Sequence, residues 1–184
     1  MSSFPLLDEP LTDDTVVLRD YAERDIPEIL IAHQDDPRLH LFTGDDRPPS
    51  GAELGRAAER EAADRAIGER ATLTIVEPGS DTCLGQIRVY PVDWGQSRAE
   101  VGIWLAPQVR GRGLGPRALR LAGEWLLGPC GLARVELFTE LDNAPMIRAA
   151  ENAGFAPEGI LREYLRKRGK GVDVLVMSLI PDDE

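Results

Sequence analysis

The sequence predicts a mixed α/β domain built on a central, mostly antiparallel sheet of about seven strands, with about four helices flanking it. Three observations lead there. Strand-like and helix-like segments alternate near the start of the chain and again after residue 130. Three consecutive strand patterns fill residues 71–105. A glycine- and arginine-rich turn near residue 112 then joins a strand to an amphipathic helix.

The elements follow in order. Thr15-Val16-Val17-Leu18-Arg19 is β-branched and alternating, which predicts a first strand, and a helix begins at about Asp25 with Pro27 in its first turn. Asp35-Asp36-Pro37 and Arg47-Pro48-Pro49-Ser50-Gly51 punctuate the chain. Residues 52–67 are rich in Ala, Glu and Arg, with Arg60/Asp64 and Glu61/Arg65 at helical spacing, so a solvent-facing helix is expected. Residues 71–77 and 83–90 read as strands joined by the turn residues 78–82, and 99–105 as a third strand after a loop over 91–97. Pro116 then opens a helix whose Ala118, Leu119, Leu121, Ala122, Trp125 and Leu126 recur at amphipathic spacing. Gly128-Pro129-Cys130-Gly131 ends it, and residues 134–141 form the next strand. Asp142-Asn143 caps a helix running to about Ala153, which Gly154 stops. Residues 160–168 and 172–180 close the chain as a long hairpin around Gly169-Lys170-Gly171.

With 184 residues and neither an internal repeat nor an interdomain linker, the chain is expected to be one domain over residues 1–184, its core spanning about 15–180 between short acidic tails. A 42% hydrophobic and 29% charged composition argues against disorder and fibrous classes. No stretch approaches the roughly 20 apolar residues that span a bilayer, and MSSFPLLDEP lacks a secretory signal, so a cytoplasmic protein without a membrane partner is expected. Cys83 and Cys130 make no disulfide framework and read as buried free thiols. His33 and His40 read as loop residues, and no metal site is expected.

The formal net charge of −11 argues against nucleic acid as a partner, because such partners need basic surface. Against that background Arg110, Arg112, Arg117 and Arg120 fall in eleven residues without Asp or Glu, a local reversal that suggests a small polyanionic ligand or, alternatively, a solvated face. The turn Arg110-Gly111-Arg112-Gly113-Leu114-Gly115 carries the same suggestion. A glycine-rich strand-to-helix turn leaves backbone N–H groups pointing outward at the positive end of a helix, which is a phosphate-binding geometry, although such a turn also serves as a tight connection. Lysine followed by Ser or Thr is absent, so it is not a P-loop, and its glycine spacing misses the dinucleotide fingerprint by one residue.

Arg110-x-x-Gly113-x-Gly115 after Ala99-Glu100-Val101-Gly102-Ile103-Trp104-Leu105-Ala106-Pro107 resembles the signature of the GNAT (Gcn5-related N-acetyltransferase) superfamily. Arg134-Val135-Glu136-Leu137, Asn143, residues 150–155 and Glu158-Gly159-Ile160-Leu161-Arg162 extend that resemblance over about residues 15–179 and toward the RimJ/RimL-type branch. It implies acetyl-CoA as cosubstrate and a V-shaped splay between the fourth and fifth strands that holds the pantetheine arm. Ile103, Trp104 and Leu105 are assigned to that arm, residues Arg110, Gly111, Arg112, Gly113, Leu114 and Gly115 to the pyrophosphate, and Asn143 to a pantetheine contact or a helix cap.

Direct transfer to an amine needs a proton acceptor, since an alkylammonium is almost wholly protonated at pH 7. Glu100, on the strand facing the acetyl group, is the first candidate for general base, followed by Glu136 and Glu140 on the next strand. Relatives often place Ser or Tyr on the helix after Asn143 to protonate the leaving thiolate; here Met146 and Ala150 stand there, so no general acid carries over. That departure leaves a noncatalytic acyl-CoA-binding or interaction domain as the alternative to an N-acetyltransferase. Asp35, Asp36, Asp45 and Asp46 make the early loops acidic, which favours a cationic acceptor such as a peptide N-terminus, a polyamine or an aminoglycoside. The closing hairpin offers an edge for a homodimer.

Overall fold

A computed structural model describes residues 3–5, 7–42, 46–167 and 169–181. Its thirteen principal elements are β1 (Leu11–Thr12), β2 (Val17–Asp20), α1 (Ile26–Asp35), α2 (Leu39–Phe42), α3 (Gly51–Ala66), β3 (Ala71–Val76), β4 (Gly85–Asp93), β5 (Arg98–Leu105), α4 (Leu114–Leu127), β6 (Arg134–Glu140), α5 (Ala144–Asn152), β7 (Ala156–Lys167) and β8 (Lys170–Leu179). The sheet has eight strands in the order β1-β2-β3-β4-β5-β6-β8-β7. Every pairing is antiparallel except β5 with β6. No helix among the described residues is long and apolar enough to cross a membrane.

The class matches the expectation, and the differences are local. The strand beyond the expected seven, β1, is two residues that pair with β2, too short to leave a periodic pattern. The fifth helix, α2, is a single turn between proline-rich segments. Residues 91–93 continue β4 instead of starting a loop. A bulge between Val89 and Val92 accommodates Pro91, which has no N–H to give to a ladder, and the turn is confined to residues 94–97. β7 starts four residues earlier than expected, and the expected strand end at Arg168 lies outside the described residues.

The two faces of the sheet differ in chemistry. On one face Leu18, Ile75, Ile87, Val101, Leu137 and Met177 are buried against the apolar stripe of α4, whose Gly115 and Gly123 lie against Leu105 and Leu179. On the other face, covered by α1 and α3, the strands present Arg19, Thr74, Gln86 and Trp104. Arg19 makes a two-pronged pair with the buried Asp25 (3.0 and 2.6 Å), which also accepts from Thr74 Oγ1 at 2.8 Å, so the buried charges satisfy one another.

This polar face explains two corrections. His33 is not a loop residue: it is buried in α1, its ring 6.4 Å from that of Trp104, and His40 lies in α2. Nor is α3 simply solvent-facing. Leu54, Glu61 and Arg65 are buried on it, and Arg65 pairs with Asp20 of β2 and lies over the Trp125 ring at 5.2 Å. Glu61 accepts from the Thr72 amide, so tertiary partners replace the expected Glu61/Arg65 pair. The capping box between Ser50 and Glu53 fixes where this helix starts.

Candidate active site at the splayed strands

Strands β5 and β6 pair in register only at Arg98/Arg134, Ala99/Val135 and Glu100/Glu136, although β5 continues to Leu105 and β6 to Glu140. Beyond Glu100 the two strands diverge into a V. These are the fourth and fifth strands of the sequence reading, shifted in number by the short β1. On its other edge β5 stays paired with β4 as far as Gly85/Leu105. The amide of Ala106 donates to Leu84 at 2.8 Å, and ladder alternation then turns the backbone groups of Trp104 and Gly102 toward β4. Ile103 and Leu105 turn theirs into the V. Arg110 Nε occupies the Leu105 carbonyl at 3.0 Å, while Ile103 has no register partner on β6 and turns its amide and carbonyl toward the gap. Of the three residues assigned to one contact, Trp104 therefore differs: its backbone serves β4, and its buried indole donates to Gln86 Oε1 at 3.3 Å.

The glycine-rich turn lies at the open end of the V. Gly113 is the N-cap of α4 at φ 80°, and Gly111 has φ 77°, a left-handed geometry that only glycine adopts at little cost. A Cβ at either position would meet nothing within 4 Å among the described residues, so the space beside this helix start is open, and the first N–H groups of a helix have no partner within it. The four arginines separate. Arg110 pairs with Asp36 at 2.8 Å and Arg112 with Glu77, both beside the turn. Arg117 instead binds Asp13 and Thr15, and Arg120 the Asn152 carbonyl, so these two hold α4 to its neighbours and do not join a four-arginine cluster. Burial works to raise the Asp36 carboxyl, but hydrogen bonds from Arg110 and the Arg38 amide outweigh it and hold it below the usual carboxylate range.

Asn143 is the N-cap of α5 and accepts from the Met146 amide at 3.3 Å through Oδ1, which leaves its side-chain N–H groups to donate. Met146 is half-buried and Ala150 fully buried, and neither carries an acidic proton.

The three carboxylates sit in different environments. Glu100 and Glu136 are register partners at the vertex of the V and share one face of the sheet. Arg134 Nε bonds Glu136 at 2.7 Å, and the same guanidinium forks onto Glu158, which also accepts from Ser178 Oγ. Glu140 is paired with Lys167, whose ammonium also reaches the Leu41 carbonyl at 3.0 Å. Among the described residues no cation lies within ion-pair distance of Glu100. Burial, then the neighbouring Glu136 charge, push its carboxyl up to about 7. The Arg134–Glu158–Ser178 chain escaped the sequence reading, since its members lie on three strands: Arg134 and Glu158 stand in recognised motifs, but nothing along the chain pairs them or points to Ser178. Of the acidic early loop, Asp36 is taken up by Arg110, Asp35 ends α1, Asp46 is exposed, and Asp45 lies outside the described residues.

The comparisons fit this geometry. A family model described as an acetyltransferase (GNAT) domain matches residues 15–156. An N-acetyltransferase of Bacillus licheniformis, p20, is 27% identical over 113 residues, which cover 61% of this chain and 64% of that protein; this chain thus spans less than two thirds of the relative's length. Among solved structures, RimJ of Mycobacterium smegmatis in complex with CoA-disulfide superposes with a TM-score of 0.81 at 24% identity, over 94% of this chain and 86% of that one. Spermidine N-acetyltransferase from Vibrio cholerae in complex with CoA and spermine gives 0.79 at 18% identity, over 91% and 96%. With a family model matching residues 15–156, most of its length, this chain belongs to the GNAT acetyltransferase family and has the fold of its RimJ/RimL-type branch.

Proposed function

We propose that this chain, as one domain, transfers an acetyl group from acetyl-CoA to a primary amine by direct attack in a ternary complex. The observation that carries the reading is Glu100: a half-buried carboxylate with no cation partner among the described residues, at the vertex of the V and three residues before Ile103, whose backbone faces the gap. The V would hold the pantetheine arm through Ile103, with Asn143 donating from the opposite wall. The α4 turn would hold the diphosphate through its amides, Arg110 and Arg112. RimJ and the spermidine acetyltransferase, each solved with a CoA species, support the cosubstrate.

In the step itself the amine nitrogen attacks the thioester carbonyl, its proton passes to Glu100 directly or through one water, and the C–S bond breaks. The thiolate then takes a proton from water, since Met146 and Ala150 supply none. A base with a pKa near the working pH is well matched to that role, whereas Glu136 and Glu140 are each held by a cation. The acceptor is cationic, drawn by an acidic floor of Glu100 and Glu136 and an acidic chain. Homodimerisation fits the β7 edge, where Ile160, Leu161, Tyr164 and Leu165 are exposed on the last strand of the sheet.

A thiol-release assay with acetyl-CoA over N-terminal peptides, polyamines and aminoglycosides tests the reading. Acetyl-CoA-dependent thermal stabilisation without thiol release from any amine would replace it with a noncatalytic acyl-CoA-binding domain, the reading the absent general acid favours.

A further inference from the structure

Gly102 stands in the middle of β5, paired with Arg88 of β4 on one side and beyond the last pairing with β6 on the other, and it is exposed while Val101 and Trp104 on the same strand are buried. A glycine inside a strand weakens it, so some other demand must favour it there. Conformation is not that demand, since Gly102 is not among the residues with positive φ. Close packing is not either, because a Cβ built there meets nothing within 4 Å. What the missing side chain provides is open space.

The space is well placed. Alternation puts Gly102 on the same face as Glu100 and Trp104, with Arg88 directly across in β4. Ile103 and Leu105 point to the opposite face, where Leu105 meets Gly115 of the α4 turn. The coenzyme's phosphate turn therefore lies on one face of the sheet and the Gly102 notch on the other, and the V just beyond Glu100 connects them. An amine that reaches the thioester from the notch side would cross β5 between Glu100 and Gly102.

We infer that Gly102 is a specificity-determining position: its open notch receives the substituents on the amine-bearing carbon of the acceptor, so that this chain accepts amines branched at that carbon. This rests on the N-acetyltransferase reading above and adds the shape of the acceptor to it.

The test compares wild type with Gly102→Ala and Gly102→Val, using the amine that gives the highest thiol release in the panel and its homologue with one methyl group added at, or removed from, the amine-bearing carbon. Both variants place their new atoms in open space and gain strand propensity, so melting temperatures should equal or exceed wild type. The acetyl-CoA-induced thermal shift should be unchanged. Wild type should treat the two amines within a few-fold of each other, whereas Gly102→Val should disfavour the branched one by an additional factor of roughly 10 or more, the size of a one-methyl mismatch in a tight site, with Gly102→Ala between. An active wild type whose Gly102→Val variant loses nothing, or loses both amines equally, overturns the inference. A variant that loses the acetyl-CoA shift assigns the notch to the coenzyme and overturns it as well. A wild type that binds acetyl-CoA but turns over no amine instead sinks the underlying functional reading.

Discussion

Replacing Glu100 by Gln removes one ionisable group from the vertex of the V and leaves its shape nearly unchanged. With a carboxyl pKa of about 7 the base is half ionised at pH 7 and about 1% ionised two pH units lower. Wild-type kcat/KM for an amine that binds as its ammonium should accordingly fall about tenfold per pH unit below 7 and level off above it, because the base works only when deprotonated. Glu100→Gln should lower turnover at pH 7 by roughly 10²–10⁴-fold, erase the limb near 7, and recover part of the rate as the amine approaches its own pKa near 10. Glu136→Gln should move the limb below 7, since the Glu136 charge helps to raise Glu100. Stability carries an independent readout. A carboxyl whose folded pKa is raised contributes stability that is complete below its unfolded pKa and is lost as pH rises through 7. The Gln variant should therefore melt higher, relative to wild type, at pH 8 than at pH 5. Thiol release across pH 5–9, with thermal melts at both ends, checks all of this. Unchanged turnover in Glu100→Gln would refute the assignment, and a loss confined to Glu136→Gln would move the role to β6.

Acetyl-CoA should raise the melting temperature of wild type, and Gly113→Asp should abolish the shift by adding a like charge at the proposed diphosphate site and forcing a side chain into left-handed backbone. Asn143→Ala should cost about 1 kcal/mol of stability through the lost α5 cap, measured by urea unfolding, and should also weaken acetyl-CoA binding; a stability loss with unchanged binding would confine Asn143 to capping. Light scattering at micromolar concentration should give twice the 20.2 kDa chain mass, and Tyr164→Glu on β7 should return the monomer; a wild-type mass of one chain would count against the dimer.

The sequence is most legible where one local pattern dictates one structure. The alternation of β5, the α4 stripe and the Asn143 cap each carry their own signal, so their positions and the glycine-rich turn between β5 and α4 are readable along the chain. What is not legible depends on partners distant in sequence. Arg65 and Glu61 have the spacing of a surface helix pair, but Asp20 and Thr72 claim them from other elements. The ranking of the carboxylates is likewise invisible in the sequence. Glu136 and Glu140 become paired through Arg134 and Lys167, while among the described residues Glu100, at the last level where β5 and β6 pair, has no cation partner. Gly102 lies inside a recognised motif, yet its openness is a property of space.

An acidic chain that holds a polyanion, as proposed above, must solve an electrostatic conflict locally, and the turn offers two means. Backbone N–H groups at the start of α4 point outward whatever the net charge, and their partial positive charge is fixed by the helix. Arg110 and Arg112 supply the rest, but each is already paired, Arg110 with Asp36 and Arg112 with Glu77. Both guanidinium groups are about half exposed, at 43% and 51%, so these are surface pairs of small net worth that water screens. The contrast is Arg19 with Asp25, at 9% and 1% exposure, where losing a partner would strand a buried charge. The arginines beside the turn can thus exchange a carboxylate for a phosphate at low cost. Positive charge at the mouth of the V is paired with two of the acidic residues that give the chain its negative balance.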